Sequence, residues 1–285
     1  MTIKRVGIVG SGTMGSGIAE VAAKNGYEVI LRSRSQAGAD GMVKGLEKSL
    51  GKQVGKGKVT EAERDAALAL VRGVTELEEL AECDLVVESV LEDLAVKKEL
   101  FATLDRICDP HTILATNTST LPVVEMAVST ERPGQVVGIH FFNPAPMMSL
   151  VEVIRAITSS DETVDAALAF ASSCGKSPIE VRDVAGFVVN ALLFPYLNSA
   201  VRLLERGVAS QEDIDSAMKA GANMPMGPFA LIDLVGVDVT VSILDALYAE
   251  NPDPFLQPAQ HLRRMLSAGR LGRKSGQGFY DYTKR

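Results

Sequence analysis

His140 and Glu152 are the two residues best suited to moving a proton. His140 closes the run Gly138-Ile139-His140, and an imidazole titrates near neutrality when unperturbed. Glu152 lies within Leu150-Val151-Glu152-Val153-Ile154, where a carboxylate inside an apolar strand needs a partner. A lone histidine at a strand end is ordinarily structural, but Glu152 changes that reading. The pair would let a carboxylate set the tautomer of the imidazole and stabilise the imidazolium. Such a base could take a hydroxyl proton while a hydride leaves for a nicotinamide.

A second constellation supplies the place for that nicotinamide. Val6-Gly7-Ile8-Val9 runs into Gly10-Ser11-Gly12-Thr13-Met14-Gly15 and then an Ala-rich stretch. Strand, glycine turn and helix in this order are the fingerprint of a dinucleotide site. Gly10 permits the tight turn, Gly12 the approach of a pyrophosphate, and Gly15 close packing of helix on strand. The anion then sits on the free N–H groups of the helix. The acid that ordinarily follows about 20 residues on, at the end of the second strand, is missing. Glu28-Val29-Ile30-Leu31-Arg32-Ser33-Arg34 places a serine there, flanked by arginines.

These residues need a scaffold, and the pattern implies one. Strands are expected at 28–33, 84–88, 112–116, 135–140, 150–155 and 176–181, with helices near 37–54, 60–71 and 93–107 and one capped near Ser119 or Thr120. Such alternation implies a doubly wound sheet. Its ligands gather outside the carboxyl ends of the strands, where Glu92, Asn117-Thr118-Ser119 and His140 fall. Beyond about Asp183 the pattern is helical, over 187–206, 210–220, 227–249 and 258–268, punctuated by glycine and proline. The expected fold is therefore α/β: a Rossmann-like sheet domain over 1–185 and an all-helical domain over 186–285.

Composition limits the alternatives. The chain has 285 residues, 46% hydrophobic and 23% charged, as in a soluble globular protein. A formal charge of −7 argues against a general nucleic-acid surface. Cys83, Cys108 and Cys174 lie far apart with no metal-ligand spacing, so buried free thiols in a reducing cytoplasm are expected and no metal. No apolar run spans a bilayer, and the first strand starts too early for a targeting segment; a cytoplasmic protein without membrane partners is the expectation.

Gly10 to Gly15, Asn117-Thr118-Ser119, His140-Phe141-Phe142-Asn143-Pro144, Val151-Glu152-Val153, Gly186-Phe187-Val188-Val189-Asn190 and Leu271 to Tyr280 occur in this order. Together they resemble the short-chain L-3-hydroxyacyl-CoA dehydrogenases, bacterial 3-hydroxybutyryl-CoA dehydrogenases in particular, over essentially the whole chain. The resemblance implies interconversion of 3-hydroxybutyryl-CoA and acetoacetyl-CoA, with His140 as acid/base and Glu152 as its partner. It implies that Ser119 and Asn190 hydrogen-bond the substrate, and that Asn117, Ser119, Glu92, Lys97, Asn143 and Lys274 contact the cofactor. Ser49, Lys52 and Lys56 would receive the coenzyme A moiety, and the helical domain would dimerise and close the substrate site. Read without the resemblance, Lys48 to Lys58 is a solvated basic surface, Lys274 a surface lysine, and Ser119 a helix N-cap.

Two departures stand out. Ala191 follows Asn190, where the family often has a basic residue. Ser33 stands where NAD-using members carry an acid, which would repel a 2′-phosphate. With Arg34 offering positive charge, the expected cofactor is NADP, with NAD as the alternative. A CoA-independent hydroxy-acid dehydrogenase, or a silent dinucleotide-binding protein, are the rival readings.

Overall fold

The structure, a computed structural model, describes residues 2–283. The chain forms two compact units, one running to Asp183 and the other from Val184 onward.

The first unit is one eight-stranded sheet with the strand order β3-β2-β1-β4-β5-β6-β7-β8. Its strands are β1 (Arg5–Val9), β2 (Glu28–Arg32), β3 (Val71–Val74), β4 (Leu85–Glu88), β5 (Ile113–Thr116), β6 (Val136–Phe141), β7 (Leu150–Arg155) and β8 (Ser177–Arg182). The helices between them are α1 (Thr13–Lys24), α2 (Gln36–Val54), α3 (Glu61–Ala69), α4 (Leu94–Ile107), α5 (Val123–Ala127) and α6 (Asp161–Ser173). Apolar β-branched strands such as Leu85-Val86-Val87 are buried throughout, as required of a parallel sheet covered on both faces. β1 pairs in parallel with β2 on one side and with β4 on the other. The order in which successive strands are laid down therefore reverses at β1/β4, which opens a crevice at the carboxyl ends of those strands. β6 and β7 pair antiparallel, in a register that sets His140 opposite Glu152.

Three elements differ from the sequence pattern. β3 lay hidden because Val71-Arg72-Gly73-Val74 is a short, half-exposed edge with no clean alternation. Gly73 serves packing there: a Cβ would lie 3.1 Å from the Ala39 carbonyl oxygen of α2. The helix expected to be capped at Ser119 or Thr120 starts instead at Val123. Its leading amides, Val123 N and Val124 N, donate to the Asp183 carboxylate at 2.9 and 2.8 Å. A distant acid does what a local hydroxyl was expected to do.

The second unit is helical: α7 (Val189–Glu205), α8 (Gln211–Gly221), α9 (Pro228–Val235), α10 (Val237–Glu250) and α11 (Gln260–Ser267). The stretch read as one helix over 227–249 is two, because Gly236 adopts a φ of 111°, which turns the chain between α9 and α10. Phe194, Leu197, Phe229, Leu244, Leu262 and Phe279 form its core. Two buried acids fasten the C-terminal motif to that core. Asp215 accepts from Phe229 N, Ala230 N and the Tyr280 hydroxyl. Asp233 accepts from Phe279 N and Tyr280 N, both at 2.9 Å. The glycines of Leu271 to Tyr280 permit this contact, since a Cβ at Gly278 would lie 1.9 Å from Asp233 Oδ1. Burial raises the Asp233 carboxyl above the usual range, partly offset by those backbone donors.

Among the described residues, no helix is long and apolar enough to cross a membrane, and no group of three His, Cys, Asp or Glu could hold a metal ion. The three cysteines are free and buried.

Candidate active site

A cavity of about 680 Å³ opens at the β1/β4 crevice. Gly10, Ser11 and Gly12 form one side, Arg32, Ser33 and Arg34 another, and Leu77, Val90, Val96 and Leu100 an apolar wall. Each fingerprint glycine meets a separate steric demand. Gly10, at φ 128°, passes so close to β4 that a Cβ would lie 2.2 Å from the Ser89 carbonyl oxygen. A Cβ at Gly15 would lie 2.1 Å from the Gly10 carbonyl oxygen. At Gly12 a Cβ would meet nothing within 4 Å, so the space over the first turn of α1 is clear. Gly12 is also the N-cap of α1 and brings no side-chain cap to its amides. Clear space over uncapped helix amides fits a pyrophosphate, and the apolar wall fits a nucleoside base.

At the end of β2, Ser33 is buried, with its amide bonded to Val74 O at 3.0 Å. Its hydroxyl packs against Gly38, where a Cβ would come within 2.2 Å of it. Arg32 commits its Nε to the Thr75 carbonyl at 2.9 Å, whereas Arg34 is exposed.

At the carboxyl end of β6, His140 Nδ1 lies 2.8 Å from Glu152 Oε2. Histidine and glutamate are 6% and 0% exposed. An ionised carboxylate only accepts, so Nδ1 is the donor to Glu152. Phe142 packs against the imidazole at a tilt of 50°, with ring centroids 4.5 Å apart. Asn117 reaches the same strand end, its Oδ1 accepting from Phe141 N at 2.8 Å. The loop after β6 carries the exposed Asn143. Lys176, just before β8, clamps this loop by donating to Ala145 O and Met148 O at 2.6 and 2.8 Å.

Ser119 is held from outside its own turn. Its amide donates to Glu92 Oε1 at 3.0 Å, and the Thr118 hydroxyl donates to the same oxygen at 2.5 Å. Lys97, expected as a cofactor contact, is placed otherwise. It is 1% exposed, with Nζ 2.6 Å from Glu88 Oε1 and 3.2 Å from Glu92 Oε2. A side chain so enclosed offers no surface to a ligand. Glu88, at the end of β4, was not singled out from the sequence. The argument that found Glu152, a carboxylate inside an apolar strand, would have found it too.

Not every expected residue joins these groups. Ser49, Lys52 and Lys56 do not line the cavity; they lie along one side of α2 and just past its end, with both lysines exposed. Asn190 and Lys274 belong to the helical unit. Asn190 is buried near the start of α7, after Gly186 and Phe187 at positive φ, and Lys274 Nζ pairs with Asp238 Oδ2 at 2.7 Å.

Comparison with known proteins agrees over both units. The model for the 3-hydroxyacyl-CoA dehydrogenase NAD-binding domain matches residues 5–184, and that for the 3-hydroxyacyl-CoA dehydrogenase C-terminal domain matches residues 186–282. A probable 3-hydroxybutyryl-CoA dehydrogenase of Bacillus subtilis is 45% identical over 285 residues, covering 100% of this chain and 99% of the relative. The 3-hydroxybutyryl-CoA dehydrogenase of Clostridioides difficile is 47% identical, covering 98% of this chain and 100% of the relative. The crystal structure of (S)-3-hydroxybutyryl-CoA dehydrogenase from Ralstonia eutropha superposes with a TM-score of 0.97 at 42% identity, over 99% of this chain and 100% of that one.

Proposed function

The chain belongs to the 3-hydroxyacyl-CoA dehydrogenase family, and on that premise we propose that it interconverts (S)-3-hydroxybutyryl-CoA and acetoacetyl-CoA with a nicotinamide dinucleotide. The observation that carries the reading is the buried His140–Glu152 pair at the carboxyl end of β6, 2.8 Å apart.

The dinucleotide, when bound, supplies the acceptor or donor of the hydride. The residues of the chain do the rest. Gly10 to Gly15 hold the pyrophosphate, and Glu92, Asn117 and Asn143 orient the cofactor. Lys97 takes part through Glu92. In oxidation, Nε2 of His140 takes the C3 hydroxyl proton; in reduction it gives one back to the C3 oxygen. Glu152 holds the Nδ1 proton throughout and stabilises the imidazolium. Ser119 and Asn190 hydrogen-bond the substrate, with Ser119 serving the cofactor as well. Ser49, Lys52 and Lys56 receive the coenzyme A moiety, whose phosphates suit flexible ammonium groups. Residues 1–185 act as the dinucleotide-binding domain. Residues 186–285 act as the dimerisation domain and bring Asn190 and Lys274; the exposed Leu192 on α7 and Leu234 on α9 support a homodimer.

NADP is the cofactor we favour over NAD, in a cytoplasmic enzyme. The support is a β2 end with Ser33 in place of an acid and the exposed Arg34 beside it. Purified protein should oxidise NADPH faster than NADH at equal low concentration when given acetoacetyl-CoA, followed by absorbance. Acetoacetate should give no comparable rate, because it lacks the moiety that the α2 lysines bind. Equal turnover of acetoacetate would replace the reading with a CoA-independent dehydrogenase.

A further inference from the structure

Lys97 and Glu88 are 1% and 0% exposed, and two charges are rarely removed from water so completely without a use for their geometry. Their bonds run to two separate parts of the site. Glu88 Oε1 accepts from Val90 N, in the cavity wall, as well as from Lys97. Glu88 Oε2 accepts from the Thr116 hydroxyl at 2.8 Å, and that hydroxyl accepts from Thr118 N at 3.1 Å. Lys97 also reaches Glu92, the acid that holds the Thr118 hydroxyl and the Ser119 amide. The bonds thus close a ring around the turn Asn117-Thr118-Ser119, and only Glu92 of the three charged groups is open, at 38% exposure. A pair that served stability alone would need neither the half-open third member nor the bond to the cavity wall.

We infer that Lys97 and Glu88 are positioning residues: Lys97 acts through Glu92, and Glu88 through Thr116 and Val90, to set the Asn117–Ser119 turn and the Val90 wall at the geometry that binds cofactor and substrate. This deepens the proposed function and rests on it, since Asn117 and Ser119 are ligand contacts only in that reading. Lys97 is charged so that Glu92 has a fixed anchor inside the protein; Glu88 balances the ammonium where water cannot. Charge-assisted bonds of this kind are short and directional.

The test is a cycle on the full-length protein. The double variant Glu88→Gln/Lys97→Met replaces both members with side chains of similar size and leaves no orphaned charge. One cation and two carboxylates become one carboxylate, so the cluster keeps its net charge and loses only its anchor. Two quantities are read: affinity for NADPH or NADH, from the fluorescence of the reduced cofactor, and kcat/KM for acetoacetyl-CoA. Both should fall roughly tenfold or more, the scale of a small misplacement of binding groups. In a Glu92→Gln background, the same double change should cost clearly less than it does alone, because the route from Lys97 to the turn is already cut. Equal losses in the two backgrounds, or none in the first, overturn the proposal. Thr116→Val, an isosteric cut of the same ring, keeps the question open to decision if the double variant does not fold; it should lower both quantities, and unchanged affinity overturns the ring. A parent protein that binds reduced cofactor but does not turn over acetoacetyl-CoA removes the substrate reading, and the cycle read on affinity still decides the positioning. A parent that binds neither cofactor overturns both.

Discussion

Glu152 and Lys97 pose the same physical problem, a charge with no water, and each meets its opposite at hydrogen-bond distance. They were not equally legible. In a strand the side-chain period is two, so an acid at an inward position of Leu150-Val151-Glu152-Val153-Ile154 announces its burial. Lys97 stands on a helix, where its burial with Phe101 and Leu104 depends on how α4 packs. Its enclosure therefore came as a correction to an expected ligand contact. The role proposed for His140 predicts that His140→Ala lowers kcat by roughly 10²- to 10⁴-fold, the usual contribution of a general acid/base. NADPH affinity should survive, read by fluorescence; near-normal turnover would remove His140 from the chemistry. Ser33→Asp tests cofactor choice. A carboxylate near a 2′-phosphate costs about 1–4 kcal/mol at 4 Å, depending on screening. The NADP/NAD ratio of kcat/KM should therefore fall roughly fivefold or more, and an unchanged ratio would show that Ser33 does not choose the cofactor.

At the scale of elements, the β6–β7 antiparallel pair does most to build the site, because one register places His140 opposite Glu152 and a slip of one residue would turn them to opposite faces. The β6, β7 and α2 stretches were readable from local pattern. β3 and the Gly236 break between α9 and α10 were not, since an edge strand and a helix junction are decided by what packs against them. α2 offers a separable test. Gly45 and Gly51 lie in its interior and are exposed, and a Cβ at either would meet nothing within 4 Å. Alanine at each should stabilise the protein by about 0.5–1 kcal/mol by restricting the unfolded chain, read by urea unfolding. Gly45 shares the side of the helix that carries Ser49 and Lys52, four and seven residues on, whereas Gly51 is turned away. Gly45→Ala should therefore raise KM for acetoacetyl-CoA and Gly51→Ala should not. Equal KM values would mean that this side of α2 does not receive the coenzyme A moiety.

For the whole molecule, the sheet order puts the glycine turn, the end of β2 and the end of β4 around one cavity, although Gly10, Ser33 and Ser89 are far apart in sequence. The C-terminal glycine motif has an equally non-local cause, because Gly272 and Gly278 are required by the buried Asp233 some 40 residues earlier in the chain. What the amino-acid sequence determined by itself was everything carried by local period and residue type: the alternation of strands and helices, the dinucleotide turn, the missing acid at Ser33, and a carboxylate that had to be paired. What only the tertiary structure decided was which charge meets which. Glu92 with Ser119 and Asp183 with the start of α5 are contacts between elements distant along the chain, and Glu88 meets Lys97 because α4 packs back onto the end of β4. The low-dielectric interior selects them through packing and hydrogen-bond geometry, and no short stretch of sequence encodes them.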